Sequence, residues 1–306
     1  MSTKRTKLSI NLCWLGQGDG YEESLKLARD AGFDEIDFSL EPGNALQDPG
    51  NVWMGDNYVE EAKKARALAE QYGLPITQTH TPFCFKHGDR EEVVRDVIIP
   101  TTKRTLEISG LLGAKWAVVH PLHYITYRGN EEKLFRMNMD FYRELIPVAA
   151  KAGVKIAIEN MFQGDAKRRY ICHDTCSQPE EFCRYIDELD SEWIVACLDT
   201  GHAALPFGGY EAHEFVRALG HNRLHSLHVH DNNYRGDQHQ FPFFGQIDWK
   251  EFAKAMGEID YEGTFTYEAY GLIGSNMPKE FIPTAVKYAA DIGHFICKMI
   301  DENRPK

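Results

Sequence analysis

Apolar and polar positions change period in a repeating order along this chain. Short runs rich in apolar and β-branched residues give way to longer stretches with helical spacing, the pattern of parallel strands joined by helical crossovers. The predicted strands are KLSINLCW from Lys7, EIDFSLE from Glu35, PITQTHTP from Pro75, WAVVHP from Trp116, KIAIENM from Lys155, IVACLDTGH from Ile194, LHSLHVHDN from Leu224 and GTFTYEA from Gly263. Helical patterns fill the gaps: YEESLKLARDAGF, NYVEEAKKARALAEQYG, EEVVRDVIIPTTKRTLEISGLLG, EEKLFRMNMDFYRELIPVAAKAG and DWKEFAKAMGEI. Several end in Gly just before the next strand, as a helix C-terminus leading into a strand does. Pro100 is expected to kink or split the third of them. Eight such units are what a closed barrel requires, so the sequence predicts an α/β protein, a single (β/α)₈ TIM barrel spanning residues 1–306 as one domain.

Composition fits that picture. The 306 residues accommodate one barrel of roughly 250 residues with loop insertions. With 43% hydrophobic residues spread evenly and no Ser/Gly linker or low-complexity tract, the chain can bury a large core and shows no second domain. Forty-six acidic against 34 basic residues give a formal charge of −12, which repels phosphate backbones and anionic membranes in the absence of a basic cluster. Nucleic acid is therefore not favoured as a partner. The N-terminus lacks the apolar run of a signal peptide and no apolar stretch approaches about 18 residues, so a soluble, cytoplasmic protein without membrane attachment is expected. Seven scattered cysteines suggest reduced thiols rather than a disulfide framework. Cys172 and Cys176 flank His173, but no second ligand pair accompanies them, and incidental thiols are favoured over a zinc site.

Active sites in such barrels form where strands end and the following loops begin. The predicted strand ends are rich in metal-ligand types: His80, His120, Glu159, Asp199 with His202 just beyond, His228 and Glu268. Alternation places Phe265 and Tyr267, Ile156 and Ile158, and Leu227 and Val229 toward the helices, leaving Glu268, Glu159, His228 and His230 facing inward. Alone, a strand-end carboxylate is commonly a helix N-cap and a single His a hydrogen-bonded core residue. Convergence from separate strands changes that reading, because carboxylates cannot cluster in a dry pocket without protonation or a cation. Glu159, Asp199, His228 and Glu268 offer mostly oxygen with one imidazole, a set suited to Mn²⁺, Co²⁺ or Mg²⁺ better than to a thiolate-type Zn²⁺ site.

The segments IAIEN at 156–160, CLDTGHA at 197–203, HVHDN at 228–232 and YEA at 267–269 resemble, in order along the chain, the xylose-isomerase-like barrel superfamily, with ketose 3-epimerases and related sugar isomerases as the nearest functional model. The resemblance implies that Glu159, Asp199, His228 and Glu268 hold one divalent metal, most suitably Mn²⁺, and that His202 contacts the substrate near its carbonyl. The epimerase pattern has an Arg a few residues after the His of the seventh strand; the nearest candidate is Arg235, displaced by about one residue. An endonuclease IV-like branch uses three zinc ions, and residues stand at its additional positions too: His80, His120, His202, Asp237 and His239, the last two as candidate ligands of an additional metal. Against that branch, the fifth-strand segment is IENMFQGD, where it carries a Glu-Thr-containing, Ala-Gly-Gln-Gly-like run.

The expected chemistry is proton abstraction beside a sugar carbonyl through an enediolate, with Glu159 and Glu268 as the catalytic carboxylates on opposite sides of the barrel. His80, His120, His230 and His239 are expected to shape the polar pocket with His202. Trp14, Trp53, Phe83, Phe85 and Tyr270 are candidates to stack on a sugar, although packing against loops explains each one alone. The segment from Arg168 to Cys176 is long for a connecting loop and reads equally as part of the pocket or as solvated surface. A carbohydrate substrate is implied, and a homo-oligomer or a small partner subunit is compatible with the sequence. The alternatives are other enolate chemistry, such as dehydration or carbon–carbon cleavage of an oxidised glycoside, and phosphodiester cleavage of abasic DNA.

Overall fold

The computed structural model describes residues 5–16, 20–40, 51–82, 88, 90–206, 208–273 and 276–306. In chain order the strands are β1 (Leu8–Asn11), β2 (Glu35–Ser39), β3 (Ile76–His80), β4 (Trp116–Val119), β5 (Lys155–Glu159), β6 (Phe162–Asp165), β7 (Tyr170–His173), β8 (Ile194–Asp199), β9 (Leu224–His228) and β10 (Phe265–Tyr267). The helices are α1 (Tyr21–Ala31), α2 (Tyr58–Gln71), α3 (Glu91–Val93), α4 (Ile99–Leu112), α5 (Glu131–Ala152), α6 (Pro179–Leu189), α7 (Thr200–Ala203), α8 (Ala212–Arg223), α9 (Trp249–Glu258) and α10 (Ile282–Glu302).

Eight strands pair in the order β10-β1-β2-β3-β4-β5-β8-β9, all parallel. The ring closes where the Val229 N–H donates to Thr266 O (2.8 Å) and the Glu268 N–H to Val229 O (3.1 Å). This is a (β/α)₈ TIM barrel. Ile156, Ile158, Leu227, Val229, Phe265 and Tyr267 are buried in the core between strands and helices, as their alternation requires. A second, smaller cluster of Trp116, Val118, Ala157, Val195 and Cys197 comes from the alternate strand positions. The same alternation aims the next residues along these strands at the barrel mouth.

Local signals set the element ends. Gly153 closes α5 with φ of 71°, a left-handed conformation that costs glycine nothing, and its N–H returns to Ala149 O and Ala150 O before β5 begins. Pro100 stands in the first turn of α4, and the residues before it, Val94–Ile98, form a π-helical turn continuing from α3, so the predicted long helix is widened there but not broken, its backbone staying helical at both junctions. Strand β1 is shorter than its apolar run because Leu12–Leu15 turn into a 3₁₀ helix, capped by the Asn11 side chain accepting from the Cys13 N–H. Among the described residues no helix is long and apolar enough to cross a membrane.

Much of the 168–176 segment is a strand rather than a loop: β6 and β7 pair antiparallel, Phe162 opposite His173 and Asp165 opposite Tyr170. Gln163 pins this hairpin to the β4–α5 connection, donating to Ile125 O (2.8 Å) and accepting from the Tyr127 N–H (3.0 Å). Cys172 is a local hydrogen-bond donor to Gln163 O, and His173 bonds Ser177; Cys176 is buried. None of the three joins a group of metal-ligand side chains among the described residues.

Under the hairpin, Glu181 of α6 accepts a hydrogen bond from the Cys176 N–H (2.9 Å), and burial raises its carboxyl to about 7. A carboxyl that binds its proton more tightly in the folded than in the unfolded chain makes stability fall as pH rises from the unfolded value, 4.5, through about 7. We expect Glu181→Gln to match the wild type at about pH 4 and to exceed it at about pH 8, by on the order of 1–3 kcal/mol. Calorimetric unfolding at both pH values checks this, and a difference that does not widen with pH would sink it.

Candidate metal centre

The carboxyl ends of β3, β4, β5 and β10 and the segments that follow β8 and β9 bring residues to one cavity of about 520 Å³, lined among others by His80, His120, Glu159, His202, Asp237, His239 and Glu268, with the strand-end residues Asp199 and His228 fully buried beside them. That volume suits a small polar ligand. Glu159 lies at the centre, with Oε2 3.0 Å from His120 Nε2 and 3.9 Å from His80 Nε2, and Oε1 3.1 Å from His228 Nδ1 and 3.7 Å from His202 Nδ1. Glu268 Oε2 is 3.4 Å from the same His228 Nδ1, and Glu268 Oε1 is 4.0 Å from His80 Nε2. On the other side Asp199 Oδ1 lies 3.0 Å from His230 Nε2, and Asp237 Oδ2 lies 3.8 Å from His202 Nε2 and 3.1 Å from His239 Nε2. β5 and β10 are three strands apart around the ring, one short of diametrically opposed.

The backbone fixes which imidazole nitrogen faces these carboxylates. A carbonyl oxygen can only accept, so a ring nitrogen bonded to it must carry the proton. His80 Nδ1–H donates to Thr81 O (2.9 Å), His202 Nδ1–H to Asn160 O (2.9 Å) and His239 Nδ1–H to Glu268 O (2.7 Å). In His80 the opposite nitrogen, Nε2, is turned toward Glu159 and Glu268, and in His239 and His202 it is turned toward Asp237, while His202 Nδ1 also lies 3.7 Å from Glu159 and 3.8 Å from Asp199. His228 reverses the arrangement, with Nδ1 toward Glu159 and Glu268 and Nε2 3.3 Å from Asp37 Oδ2. Outer hydrogen bonds of this kind orient metal-binding histidines.

Asp37 is itself held by Asn11 and Gln78, whose side-chain amides donate to Oδ2 at 3.1 Å each. Asn160 locks β5 to β8 by accepting from the Asp199 N–H (2.8 Å) and donating to Asp199 O (3.0 Å). Gly201 of the DTGH turn is required by close approach: a Cβ there would stand 1.8 Å from His230 Cε1.

Electrostatics set the two central carboxylates apart. Burial raises Glu268 to about 8, aided by the charge of Glu159 against the opposing pull of His228. Burial also pushes Glu159 up, but His228 and His120 outweigh it and hold the carboxyl well below its ordinary range. His80 is lowered to about 3, by burial first and then by His120 and His228. His239 rises to about 9 despite burial, through its hydrogen bond to Asp237 and the charge of Glu268.

The residues fit a divalent cation. One ligand atom from each of Glu159, Asp199, His228 and Glu268 lies within 4.8 Å of the others, and so do atoms of His80, His120 and Glu159, and of His230, Asp237 and His239. Asp199 Oδ2 is buried and accepts no hydrogen bond, a cost that a coordinated cation removes.

Not every expected residue converges here. Arg235 is exposed, with its backbone N–H bonded to Asn233 Oδ1, and does not line the cavity. Trp53 is buried against Phe38, edge to face at 5.7 Å, and belongs to the core. Trp14 lines the cavity and stacks on Tyr270 at 4.2 Å; Phe83 and Phe85 lie outside the described residues. The 168–176 segment does not itself line the cavity; its partner strand β6 does, through Phe162, Gln163 and Gly164, with Phe162 edge-on to His202 at 4.9 Å. Residues of β7 line a second groove on the far side, which shares Gln163 and Gly164 with the cavity.

Sequence reasoning missed Asp37 and His123. His123 also lines the cavity, with Nδ1 2.7 Å from the buried Asp174. The inward place of Asp37 between Ile36 and Phe38 was a usable signal; the pairing of His123 with Asp174, 51 residues on, had none.

A family model described as xylose isomerase-like TIM barrel matches residues 25–295. An uncharacterized protein of Sinorhizobium fredii is 24% identical over 267 residues, 82% of this chain and 81% of that protein. D-psicose 3-epimerase of Enterocloster bolteae is 28% identical over 158 residues, 49% of this chain and 46% of its own length. Among solved structures, a D-tagatose 3-epimerase-like protein superposes with a TM-score of 0.74 at 20% identity, covering 97% of this chain and 98% of that one.

Proposed function

The chain belongs to the xylose isomerase-like TIM barrel family, and from that premise we propose that it is a metal-dependent sugar isomerase or epimerase that removes and returns a proton on a carbon beside a carbonyl. The observation that carries this reading is the pair Glu159, buried, and Glu268, 13% exposed, carboxylates from separate strands that share His228 and line one cavity with proton affinities shifted in opposite directions. Similarity to D-psicose 3-epimerase and to a D-tagatose 3-epimerase-like fold supports it.

Glu159, Asp199, His228 and Glu268 would hold the cation, and Mn²⁺ suits this oxygen-rich set. Bound there, such an ion polarises a carbonyl and acidifies the neighbouring C–H. One of the two glutamates takes the carbon-bound proton and the other returns it, to the opposite face in epimerisation or to the adjacent carbon in isomerisation. His202, anchored through Nδ1–H to Asn160 O and held protonated, despite burial, by Asp199 and Asp237, presents Nε2–H to an oxygen on which charge develops, while His80, His120 and His239 complete a polar wall and the buried His230 stands behind it against Asp199. Trp14 and Phe162 close the cavity with apolar surface and exclude water.

Turnover of a ketose panel in D₂O tests the reading. Deuterium is expected on the carbon beside the carbonyl, because a proton held by a carboxylate exchanges before return. Conversion without deuterium, after shielded return is excluded by running the reaction to many turnovers, would count against the two-carboxylate mechanism.

The groups His80–His120–Glu159 and His230–Asp237–His239 favour one other reading, a three-metal phosphodiesterase acting on abasic DNA. Cleavage of an abasic oligonucleotide with no action on any ketose would replace the sugar reading.

A further inference from the structure

The groove beside the cavity measures about 1350 Å³, and the two share a seam at Gln163 and Gly164. Gln163 is a fixed post, tied to Ile125 O and the Tyr127 N–H. Gly164 is the gap next to it. Residues two apart in a strand share a face, and Gly164 stands opposite Ile171 as Phe162 stands opposite His173. One face of the hairpin therefore carries Phe162, which lines the cavity, and Ile171 and His173, which line the groove, with a glycine among them.

Neither the backbone nor the packing of the described residues requires this glycine: its φ lies outside the left-handed region, and a Cβ there would meet no atom within 4 Å. At Gly201, by contrast, His230 fills that space. A glycine inside a strand weakens it, and one that serves no local need marks a place where a ligand passes close to the backbone.

We propose that the groove is the subsite for a second sugar ring, so that the substrate is a glycosylated ketose whose reacting ring occupies the cavity and whose second ring crosses Gly164. This rests on the sugar isomerase or epimerase reading. Size and charge choose the occupant. The groove has more than twice the volume of the 520 Å³ cavity, far beyond what a phosphate group fills. Tyr170, 46% exposed, with Ile171 and Pro206 offers apolar surface, and Gln178 adds an amide. Such a mixture suits a ring with apolar C–H faces and a rim of hydroxyls. The cations of the wall are opposed within it: Arg168 Nη1 lies 2.6 Å from Asp165 Oδ2, and Glu131 stands in the same wall as Arg128 and Lys167. Three cations against two carboxylates do not make a phosphate site.

Calorimetric titration of the full chain, with Mn²⁺ in the buffer, compares fructose, 4-O-galactosylfructose, 6-O-glucosylfructose and fructose 6-phosphate. At least one disaccharide is expected to bind roughly tenfold or more tighter than fructose. Gly164→Leu, which puts a side chain into the seam, and Tyr170→Ala should each remove most of that advantage, read as the ratio of disaccharide to fructose affinity. Circular dichroism should stay unchanged, because both positions are exposed. Disaccharides that bind no better than fructose, a ratio untouched by both substitutions, or a gain that fructose 6-phosphate matches would overturn the proposal. A ratio that holds and depends on Gly164, with no turnover of any ketose, would support the subsite and remove the isomerase reading instead.

Discussion

Glu159→Gln and Glu268→Gln are each expected to lower turnover about a thousandfold or more, while the protein still folds and elutes as the wild type does. The amide is nearly isosteric with the carboxyl but neither takes a proton from carbon nor coordinates a cation as a charged oxygen. The two variants should differ in stability. Glu268 binds its proton more tightly than an ordinary carboxyl, so an amide there costs the metal-free fold little. Glu159 is held ionised by His228 and His120, so its loss leaves those imidazoles without their carboxylate. Kinetics on a converted ketose together with thermal unfolding check both statements. Either variant retaining wild-type turnover would remove that glutamate from the mechanism.

Metal removal is the second large effect. Anything that binds the folded chain alone stabilises it by RT ln(1 + [L]/Kd), about 4 kcal/mol at a thousandfold excess over Kd, worth on the order of 10 °C in a protein of this size. Exhaustive chelation should therefore lower the thermal midpoint by about that amount and abolish turnover, and Mn²⁺ should restore both. Elemental analysis should find about one divalent ion per chain, set by Glu159, Asp199, His228 and Glu268. Three zinc ions per chain would favour the phosphodiesterase reading, and a midpoint indifferent to chelator and to added Mn²⁺ would remove the metal altogether.

The barrel was legible because its period-2 and helical segments alternate without interruption, and buried parallel strands such as KIAIE and IVACLD leave little other reading. The strand-end residues were legible for the same reason: once the strands are placed, alternation decides which side chains face the mouth. The β6–β7 hairpin was not. Its turn is Ala166-Lys167-Arg168-Arg169, with Arg169 at φ 58°, and none of the Asn-Gly or Asp-Gly pairs that announce a tight hairpin is present. What stabilises it is Gln163 reaching to Ile125 and Tyr127, contacts between segments nearly forty residues apart. Arg235 failed for a related reason: residue type and approximate offset said nothing about the direction of an irregular loop, which leaves it in solvent.

Three imidazoles of the centre take their aim from main-chain carbonyls, those of Thr81, Asn160 and Glu268. Main-chain oxygens are present whatever side chain is attached, so the direction of these rings is written into the course of the backbone rather than into neighbouring residue identities. The cavity wall can therefore drift in sequence, exchanging Trp14 or Phe162 for other shapes and admitting other substrates, while His80, His202 and His239 keep pointing where they do. Selectivity and chemistry are separately inheritable in such a barrel, and one backbone can be refitted to a new ligand without its imidazole centre being rebuilt.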